Sequence, residues 1–192
     1  MGTIVITTNI SLDGVVQDPD GQEGSGLGSW FAESGGKDLE EWTLLETKEA
    51  LGAEALLLGR RSDEWFAQRW LTRTGVWADK LNSLPKYVVS STLDQARWTN
   101  ATVLRGEVVK EVSELKQQIA GEILVYASYQ LVRTLIEHGL ADELRLVVFP
   151  VVLGAGTHLF DQISTRTPVR LTSTRTIGNG LLFCTYAFAH QD

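Results

Sequence analysis

The sequence predicts a three-layer α/β fold with a mostly parallel central sheet, an antiparallel hairpin at its C-terminal edge and helices on both faces. The first observation behind this is that short apolar runs alternate with helix-length amphipathic stretches along the chain, which is typical of α/β proteins. The second is the Gly178-Asn-Gly180 turn between two runs, Val169–Ile177 and Leu181–Phe188, a strong signal for a tight hairpin. We therefore expect one domain over residues 1–192.

The other elements follow from the same periodicity. The predicted strands are short apolar runs, at residues 3–8, 55–58, 86–90, 101–104 and 122–126. The predicted helices cover residues 37–51, a segment that starts at Ser62, and residues 109–119 and 128–138. Three of the runs, 55–58, 86–90 and 122–126, should be neighbouring central strands, because helix-length segments between them allow right-handed crossovers that bury both faces. The Gly- and Asp-rich loop from Ser11 to Gly36 is long enough to suggest a function.

Composition and charge exclude several classes of protein. The formal net charge of −7 over 192 residues gives no positive field for nucleic acid or an anionic membrane, so a bound phosphate must be held locally. No apolar stretch reaches the roughly 20 residues of a membrane helix, and the N-terminus does not resemble a signal peptide. We therefore expect a cytoplasmic protein. The single cysteine and the widely scattered His138, His158 and His190 predict neither a disulfide framework nor a metal site.

The first candidate site lies where a buried strand ends in Gly59, Arg60 and Arg61, directly before the helix that starts at Ser62. Glycine lets a ligand approach the backbone, a helix start offers free N–H groups, and the arginines add positive charge, which together suit a phosphate. The alternative is a tight turn with two solvated arginines. Ser62 is also expected to cap the helix with its hydroxyl group.

Two further strand ends carry the same kind of signal. One strand ends in Ser90, Ser91 and Thr92, with Lys86 upstream; hydroxyl groups can donate to phosphate or ribose oxygens, although such clusters often only cap turns. Another leads through Val125-Tyr-Ala-Ser-Tyr129 into a helix, which is either a third phosphate-binding helix start or an ordinary capped crossover. Because parallel strands place their carboxyl ends along one edge, the three junctions together predict a dinucleotide site.

An ordered set of motifs resembles the RibD C-terminal-domain family, part of the dihydrofolate-reductase-like superfamily. The resemblance spans about residues 3–188. The motifs are Ser11-Leu-Asp-Gly14, Leu57-Leu-Gly-Arg-Arg-Ser62, Pro85-Lys-Tyr-Val-Val-Ser-Ser-Thr-Leu93, Val103-Leu-Arg-Gly106, Gly139-Leu-Ala-Asp-Glu-Leu-Arg-Leu146, Pro150-Val-Val-Leu-Gly154 and Leu159-Phe160. The resemblance implies a dihydrofolate-reductase-like fold, NADPH as hydride donor, a small-molecule substrate and a homodimer. The run Leu144–Phe149 adds to the expectation of a dimer, because it has more apolar residues than a strand with one solvent-exposed face requires.

The same resemblance assigns residues to the cofactor. The expected contacts are Gly14 near the nicotinamide, Gly59, Arg60, Arg61 and Ser62 as the phosphate loop, Ser90, Ser91 and Thr92 on the adenosine-phosphate side, Tyr126, Ala127, Ser128, Gln130 and Leu131 around the pyrophosphate turn, and Gly106. In two places the chain departs from the family. Val15 stands where riboflavin-pathway reductases commonly have Lys, and Ala127 stands where the family usually has Gly. The zinc deaminase half of the riboflavin enzyme has no counterpart here.

Two carboxylates are candidates for steering the proton that accompanies hydride transfer. The resemblance places Asp13 near the nicotinamide, and the alternative is that Asp13 is a turn residue before Gly14. Asp38 is placed loosely like the catalytic carboxylate of dihydrofolate reductase, and its alternative is a first-turn acid that stabilises the helix dipole. The resemblance thus implies an NADPH-dependent reductase similar to 5-amino-6-(5-phosphoribosylamino)uracil reductase, and the absence of metal-ligand spacing predicts that it needs no metal. A reductase of pteridines or another small heterocycle, and a non-catalytic NADPH-binding dimer, remain as alternatives.

Overall fold

The apolar runs of the sequence form strands in the computed structural model, which describes residues 1–189. The strands are β1 (Thr3–Ser11), β2 (Ala53–Gly59), β3 (Lys86–Val89), β4 (Ala101–Leu104), β5 (Glu122–Tyr126), β6 (Glu143–Phe149), β7 (Val169–Ile177) and β8 (Leu181–Phe188). The helices are α1 (Trp30–Gly35), α2 (Leu39–Gly52), α3 (Arg60–Trp70), α4 (Val76–Ser83), α5 (Val108–Gln118) and α6 (Tyr129–Glu137), and a 3₁₀ turn, Gly36–Asp38, precedes α2.

All eight strands lie in one sheet, in the order β4-β3-β2-β5-β1-β6-β8-β7. The pairs from β4 to β6 are parallel, and β8 pairs antiparallel with both β6 and β7. The prediction that β3, β2 and β5 are neighbours is confirmed, with Leu56 in register with Lys86 on one side and with Leu124 on the other. Because these strands are parallel, their carboxyl ends lie along the same edge of the sheet.

The core lies on both faces of the sheet, as the alternation of side chains along the strands requires. Ile4, Ile6 and Leu57 are fully or almost fully buried, and their side chains pack with α5 and α6. Their neighbours Leu56 and Leu58 are equally buried and belong to the cluster formed with α2, α3 and α4. The predicted three-layer arrangement, with helices on both faces, is therefore confirmed.

Several element boundaries differ from the prediction. Helices α1 and α4 were not predicted, because α1 lies within the Gly-rich loop and α4 carries no clear apolar period. Helix α3 begins at Arg60, with Gly59 at the N-cap and no side-chain cap. The prediction that Ser62 caps this helix is therefore wrong; Ser62 lies inside the first turn, where its hydroxyl group binds another part of the chain.

Strand β6 accounts for the apolar run that supported the expectation of a dimer. It lies between β1 and β8, and Leu144, Val147 and Phe149 are almost completely buried by the protein's own residues. The run therefore needs no second copy to cover it. The exposed strand is instead β7, where only Ile177 is buried, and the homodimer stays a prediction.

The described residues include neither a candidate membrane span nor a candidate metal site. Within residues 1–189 no helix combines the length and apolar character that a bilayer span requires. The same residues contain no group of three or more His, Cys, Asp or Glu side chains that could hold a metal ion. His190, which entered the sequence argument on metals, lies outside the described residues.

Candidate active site

A cavity of about 1060 Å³ opens along the carboxyl edge of the parallel strands, at the large end of the range for small-ligand pockets. The predicted residues among its lining are Gly59, Arg60, Arg61, Ser62, Ser90, Ser91, Tyr126, Ala127, Ser128, Gln130 and Leu131. The three strand-to-helix junctions that the sequence singled out therefore lie together. We call residues 59–62, 90–91 and 127–131 the junction end of the cavity.

Hydrogen bonds between Ser62 and Ser128 hold two of the junctions together. The Ser128 N–H donates to Ser62 Oγ at 3.1 Å, and the two hydroxyl oxygens lie 2.9 Å apart. Ser128 Oγ also accepts from the Gly59 N–H at 3.0 Å and lies 2.9 Å from the Tyr126 carbonyl oxygen. These bonds fix the end of β2 against the end of β5, so the backbone around the starts of α3 and α6 is held by the protein itself.

The turn after β5 has an uncommon backbone. Ala127 and Ser128 both have positive φ angles, 47° and 57°, in the left-handed region that costs an L-residue with a side chain about 1–2 kcal/mol. This geometry explains why glycine suits position 127, where the chain has Ala127. The Ser128 hydrogen bonds supply the compensation that keeps the turn in this conformation.

Positive charge at the junction end is available to a ligand. Arg60 is about half exposed, and its closest acid is Glu64, at 4.0 Å. Arg61 is exposed and makes no ion pair with any residue between 1 and 189. Lys86, by contrast, is buried at the start of β3, where its Nζ donates to the carbonyl oxygens of Asn82 and Leu84. Burial lowers the pKa of Lys86 to about 8, and the residue lies at the opposite end of its strand from Ser90.

The hydroxyl cluster after β3 contributes less than expected. Ser90 Oγ accepts from the backbone N–H groups of Thr92 and Leu93, at 3.3 and 3.1 Å, which is the turn-capping role that the sequence left open as the alternative. Ser91 is exposed and lines the cavity, whereas Thr92 does not line it. Gly106 is also outside the lining, and its N–H donates to Glu111 Oε1 at 3.1 Å.

Asp13 and Gly14 organise a loop outside the cavity lining. The carboxylate of Asp13 accepts hydrogen bonds from Ser11 Oγ at 2.7 Å and from the backbone N–H groups of Leu153 and Gly154 at 3.1 and 2.7 Å. These bonds lower the pKa of Asp13 to about 2, and the bond from Ser11 contributes most. The carboxylate therefore stays ionised at neutral pH, which does not suit a proton donor. Gly14 has a φ angle of 90°.

Asp38 lies at the β7–β8 hairpin and not at the cavity. Its Oδ2 accepts from the Gly180 N–H at 2.8 Å, and its side chain fills the space where a Cβ at Gly178 would lie. Nor does it cap α2, because its side chain makes no capping bond. The geometry gives the proposed catalytic role of Asp38 no support.

The loop before α1 forms part of the cavity wall. Its Asp18 accepts from the Glu23 N–H at 2.9 Å and from the Ser25 hydroxyl at 2.6 Å, with Asp18 itself in the left-handed region. Asp20 forms an ion pair of 3.2 Å with Arg69 of α3. Several residues of this loop, Gln17, Asp18, Pro19, Asp20, Gln22 and Glu23, line the cavity. If the long loop has a function, as its length suggests, its position in the cavity wall indicates that the function is exerted at this cavity.

The other end of the cavity is aromatic and, apart from Tyr126, was not predicted from the sequence. We define this aromatic end by Phe31, Trp42, Glu46, Trp70, Trp77 and Tyr126, all of which line the cavity. Ring centroids are 4.8 Å apart between Phe31 and Trp42, 5.6 Å between Trp42 and Trp77, and 4.7 Å between Trp70 and Trp77. The density of tryptophan between residues 42 and 77 is the one signal in the sequence that could have indicated it.

Buried charged residues belong to the aromatic end or lie next to it. Glu46 is 5% exposed and Glu49 is 8% exposed. Glu49 accepts from Thr7 Oγ1 at 3.1 Å and pairs with Arg145 at 3.3 Å. Arg145 also binds Glu122 and Glu143, so one cation is shared among several carboxylates.

Burial and the neighbouring carboxylates change the proton affinities at this end. Burial, with the charge of Glu49 added, raises the pKa of Glu46 well above its ordinary value, and Arg145 opposes this in part. The pKa of the Tyr126 hydroxyl is likewise raised, by burial and by both glutamates. Each group therefore favours its protonated form more strongly than it would in water.

Comparisons with known proteins agree with this architecture. The model of the RibD C-terminal domain family matches residues 2–183. The protein YyaP of Bacillus subtilis (strain 168) is 30% identical over 138 residues, which cover 69% of this chain and 73% of YyaP.

Two solved structures show the same fold. A putative riboflavin biosynthesis protein from Shewanella sp. PV-4 superposes with a TM-score of 0.75 at 17% identity, covering 98% of this chain and 99% of the other. Dihydrofolate reductase from Enterococcus faecalis, in complex with NADP(H), has a TM-score of 0.58 at 14% identity, covering 98% and 97%. The fold is therefore dihydrofolate-reductase-like, and the chain belongs to the RibD C-terminal domain family.

Proposed function

We propose that this protein is an NADPH-dependent reductase whose small substrate contains a nitrogen heterocycle, similar to 5-amino-6-(5-phosphoribosylamino)uracil reductase or to the reductases of pteridines. The observation that carries the proposal is the convergence of three strand-to-helix junctions, with Arg60 and Arg61, on one cavity that also has an aromatic end. Family membership supports the reductase class, and the E. faecalis dihydrofolate reductase, which has the same fold and was solved with NADP(H), supports this choice of cofactor.

The residues at the junction end fit NADPH. The N-termini of α3 and α6 line the cavity, and helix N-termini favour the oxygens of a pyrophosphate. The exposed guanidinium groups of Arg60 and Arg61 suit the additional phosphate that distinguishes NADPH from NADH. When bound, NADPH supplies a hydride from its nicotinamide ring.

The residues of the chain then bind and orient the substrate. The rings of Trp42 and Trp77 offer apolar faces to a flat heterocycle, and Glu46 and Tyr126 offer polar groups at its edge. Because the cavity is lined on this side by aromatic rings, a bound heterocycle would exclude much of the water from the reacting atoms, which strengthens the polar contacts.

Two substrates within this class are considered: the phosphorylated ribosyl compound of the riboflavin pathway and a pteridine. Val15, which replaces the lysine common in riboflavin-pathway reductases, is fully buried and provides no charge for a phosphorylated ribosyl group. This observation favours a substrate without that group, such as a pteridine. The riboflavin intermediate would need a different cation, and Arg73, which lines the cavity with its guanidinium over the Trp70 ring, is available for it.

Calorimetric titration of both cofactors tests the phosphate assignment. We expect NADPH to bind about 10- to 100-fold more tightly than NADH, because one charge-assisted contact contributes about 1.5–3 kcal/mol. Arg61→Ala and Arg60→Ala should lose this preference in part while keeping the affinity for NADH. Arg166→Ala, which removes an exposed arginine outside the cavity, is the control. Equal affinities in the wild type would contradict the assignment.

An assay of NADPH consumption tests the reaction. The panel consists of 5-amino-6-(5-phosphoribosylamino)uracil and 7,8-dihydropterin, each supplied with saturating NADPH. Oxidation of NADPH that depends on one of the two compounds identifies the substrate class. Tight binding of NADPH without consumption by either compound would favour the non-catalytic alternative.

A further inference from the structure

The connection between β3 and β4 is unusual for two parallel neighbouring strands. It covers residues 90–100 and contains no helix, whereas parallel neighbours are usually joined through one. Its backbone polar groups therefore need partners outside regular secondary structure. The connection begins at the junction end, where Ser90 and Ser91 line the cavity. We call residues 90–100 the crossover segment.

The side chain of Asp63 holds the middle of the crossover segment. Asp63 lies in the first turn of α3, directly after the junction residues 59–62, and is completely buried. Its two carboxylate oxygens accept hydrogen bonds from the backbone N–H groups of Arg97 and Trp98, at 2.6 and 3.1 Å. Charge-assisted bonds of this kind are stronger than neutral ones. The segment is therefore fixed to the helix turn that offers its N-terminus to the cavity.

Trp98 packs the crossover segment against α3 in place of a helix. Trp98 is 2% exposed, and its ring stacks on the ring of Phe66, with centroids 5.4 Å apart and planes inclined by 3°. Phe66 follows Asp63 by about one turn and lines the cavity. The Trp98 indole N–H donates to Asn82 Oδ1 at 2.7 Å. The stacking and the bonds to Asp63 thus hold the segment at the same place.

The geometry at Asp63 requires a carboxylate. Burying a charge is costly unless good hydrogen bonds offset the loss of water. The cation that shares this region is Lys86, whose Nζ lies 4.6 Å from the centroid of the Trp98 ring. Burial lowers the pKa of Lys86, and the negative charge of Asp63 opposes this shift. An asparagine of the same shape has one acceptor oxygen and a donor NH₂ group, so it would match only one of the two convergent N–H groups.

The position of the crossover segment decides where its hydroxyl groups lie relative to the arginines. The last residues of β2 and β3 are in register, so Arg60 and Ser90 leave the edge of the sheet on adjacent strands, about 5 Å apart. Ser91 is the next residue, is exposed and lines the cavity together with Arg60 and Arg61. Asp63 does not line the cavity. Any influence of Asp63 on a ligand must therefore act through the backbone that it holds.

We propose, resting on the function proposed above, that Asp63 is a positioning residue for the cofactor. By holding Arg97 and Trp98, it keeps the crossover segment folded against α3 and keeps Ser91 at the phosphate that distinguishes NADPH from NADH. The Ser91 hydroxyl group donates to an oxygen of this phosphate, which the two arginines of the junction end also bind. The groups that both cofactors share do not depend on the segment. Asp63 therefore affects the preference for NADPH and not the affinity for NADH.

A charge effect and a positioning effect predict opposite results for Asp63→Asn. If Asp63 acted only through its charge, its neutralisation would remove a negative charge near a bound phosphate and strengthen the binding of NADPH. If Asp63 positions the segment, the variant leaves one backbone N–H without an acceptor and weakens the binding of NADPH. Calorimetric titration of both cofactors distinguishes the two. We expect Asp63→Asn to lose about 10-fold in NADPH affinity, equivalent to one charge-assisted contact, with the NADH affinity unchanged.

Asp94→Asn is the matched control for charge. It neutralises an exposed side chain of the crossover segment itself and leaves the bonds of Asp63 in place. It should bind NADPH as tightly as wild type or slightly more tightly. An unchanged or increased preference for NADPH in Asp63→Asn would overturn the proposal. Wild-type protein that binds neither cofactor would instead refute the proposed function on which this inference rests.

A double-mutant cycle tests whether Asp63 acts through Ser91. Ser91→Ala should weaken the binding of NADPH to about the same extent as Asp63→Asn. In the Asp63→Asn background, Ser91→Ala should have little further effect, because residues that act through one contact are not additive. Losses that add independently would exclude this route.

Hydrogen exchange of the wild-type protein tests the same point without a substitution that could destabilise the fold. The amides of Arg97 and Trp98 should be protected without ligand, because Asp63 accepts both N–H groups. Saturating NADPH should slow exchange across residues 91–96 more than saturating NADH does. Equal slowing by the two cofactors would contradict the proposal, and so would rapid exchange of the Arg97 and Trp98 amides.

Discussion

The two ends of the cavity satisfy their polar groups in opposite ways. At the junction end, Ser62, Ser128 and the Gly59 N–H bind one another, so the backbone there is held in place without a ligand. At the aromatic end, Tyr126 and Trp77 have buried polar atoms without partners among the described residues. The polar groups of the junction end therefore contribute to folding stability, whereas the unpartnered groups of the aromatic end lower it.

The largest expected effect is the loss of stability in Ser128→Ala. This substitution removes the oxygen that binds the Gly59 N–H, the Ser62 hydroxyl and the Tyr126 carbonyl, and it leaves a partly buried N–H without an acceptor. We expect the free energy of unfolding in urea to fall by about 2 kcal/mol. Ser91→Ala, at an exposed residue of the same end, should change it little. Similar stabilities of the two variants would show that the junction end is not held by these bonds.

A smaller effect of opposite sign is expected for Tyr126→Phe. Removing a buried hydroxyl group that has no partner should raise the free energy of unfolding by about 1 kcal/mol. The matched control is Tyr129→Phe, because the Tyr129 hydroxyl donates to the Val16 carbonyl oxygen at 2.8 Å and its loss should cost about 1 kcal/mol. If both substitutions destabilise the protein, the contrast between the two ends fails.

The smallest effect is expected for Ala127→Gly. Glycine relieves the positive φ angle of 47°, but it loses more conformational entropy on folding, so the gain should be only about 0.5 kcal/mol in urea unfolding. The same change in helix α1, Ala32→Gly, should instead cost about 1 kcal/mol. Destabilisation by Ala127→Gly would mean that the alanine methyl group makes contacts that outweigh the backbone strain.

The sequence was sufficient to predict the junction end because its signals are local. Each junction is a short run in which an apolar strand ends in small, hydroxyl-bearing or basic residues, as in Gly59–Ser62. The parallel order of β3, β2 and β5 then brings the runs together, and that order follows from the helix-length spacing between them. Where a local signal has two readings, as at Ser90, only the hydrogen bonds of the structure distinguish them.

The aromatic end could not be predicted for a physical reason. Its residues come from α1, α2, α3, α4 and β5, and two of these helices, α1 and α4, were not predicted. Within α2, the expected apolar face includes Leu51, which is 51% exposed, whereas Glu46 and Glu49 are buried. A carboxylate in an amphipathic helix normally indicates the solvent face. The spacing therefore favoured Asp38 as the catalytic carboxylate, although Glu46, about two helical turns later, is the acid of α2 that lines the cavity.

The concentration of tryptophan at the cavity has an optical consequence. Four of the six tryptophans, Trp42, Trp65, Trp70 and Trp77, line it. The rings of Trp70 and Trp77 are 4.7 Å apart, and those of Trp42 and Trp77 are 5.6 Å apart, close enough for their excited states to couple and to give paired bands in near-ultraviolet circular dichroism. Reduced nicotinamide absorbs in the region where tryptophan emits. A ligand that enters the cavity should therefore quench most of the intrinsic emission and change the coupled bands, without any added label.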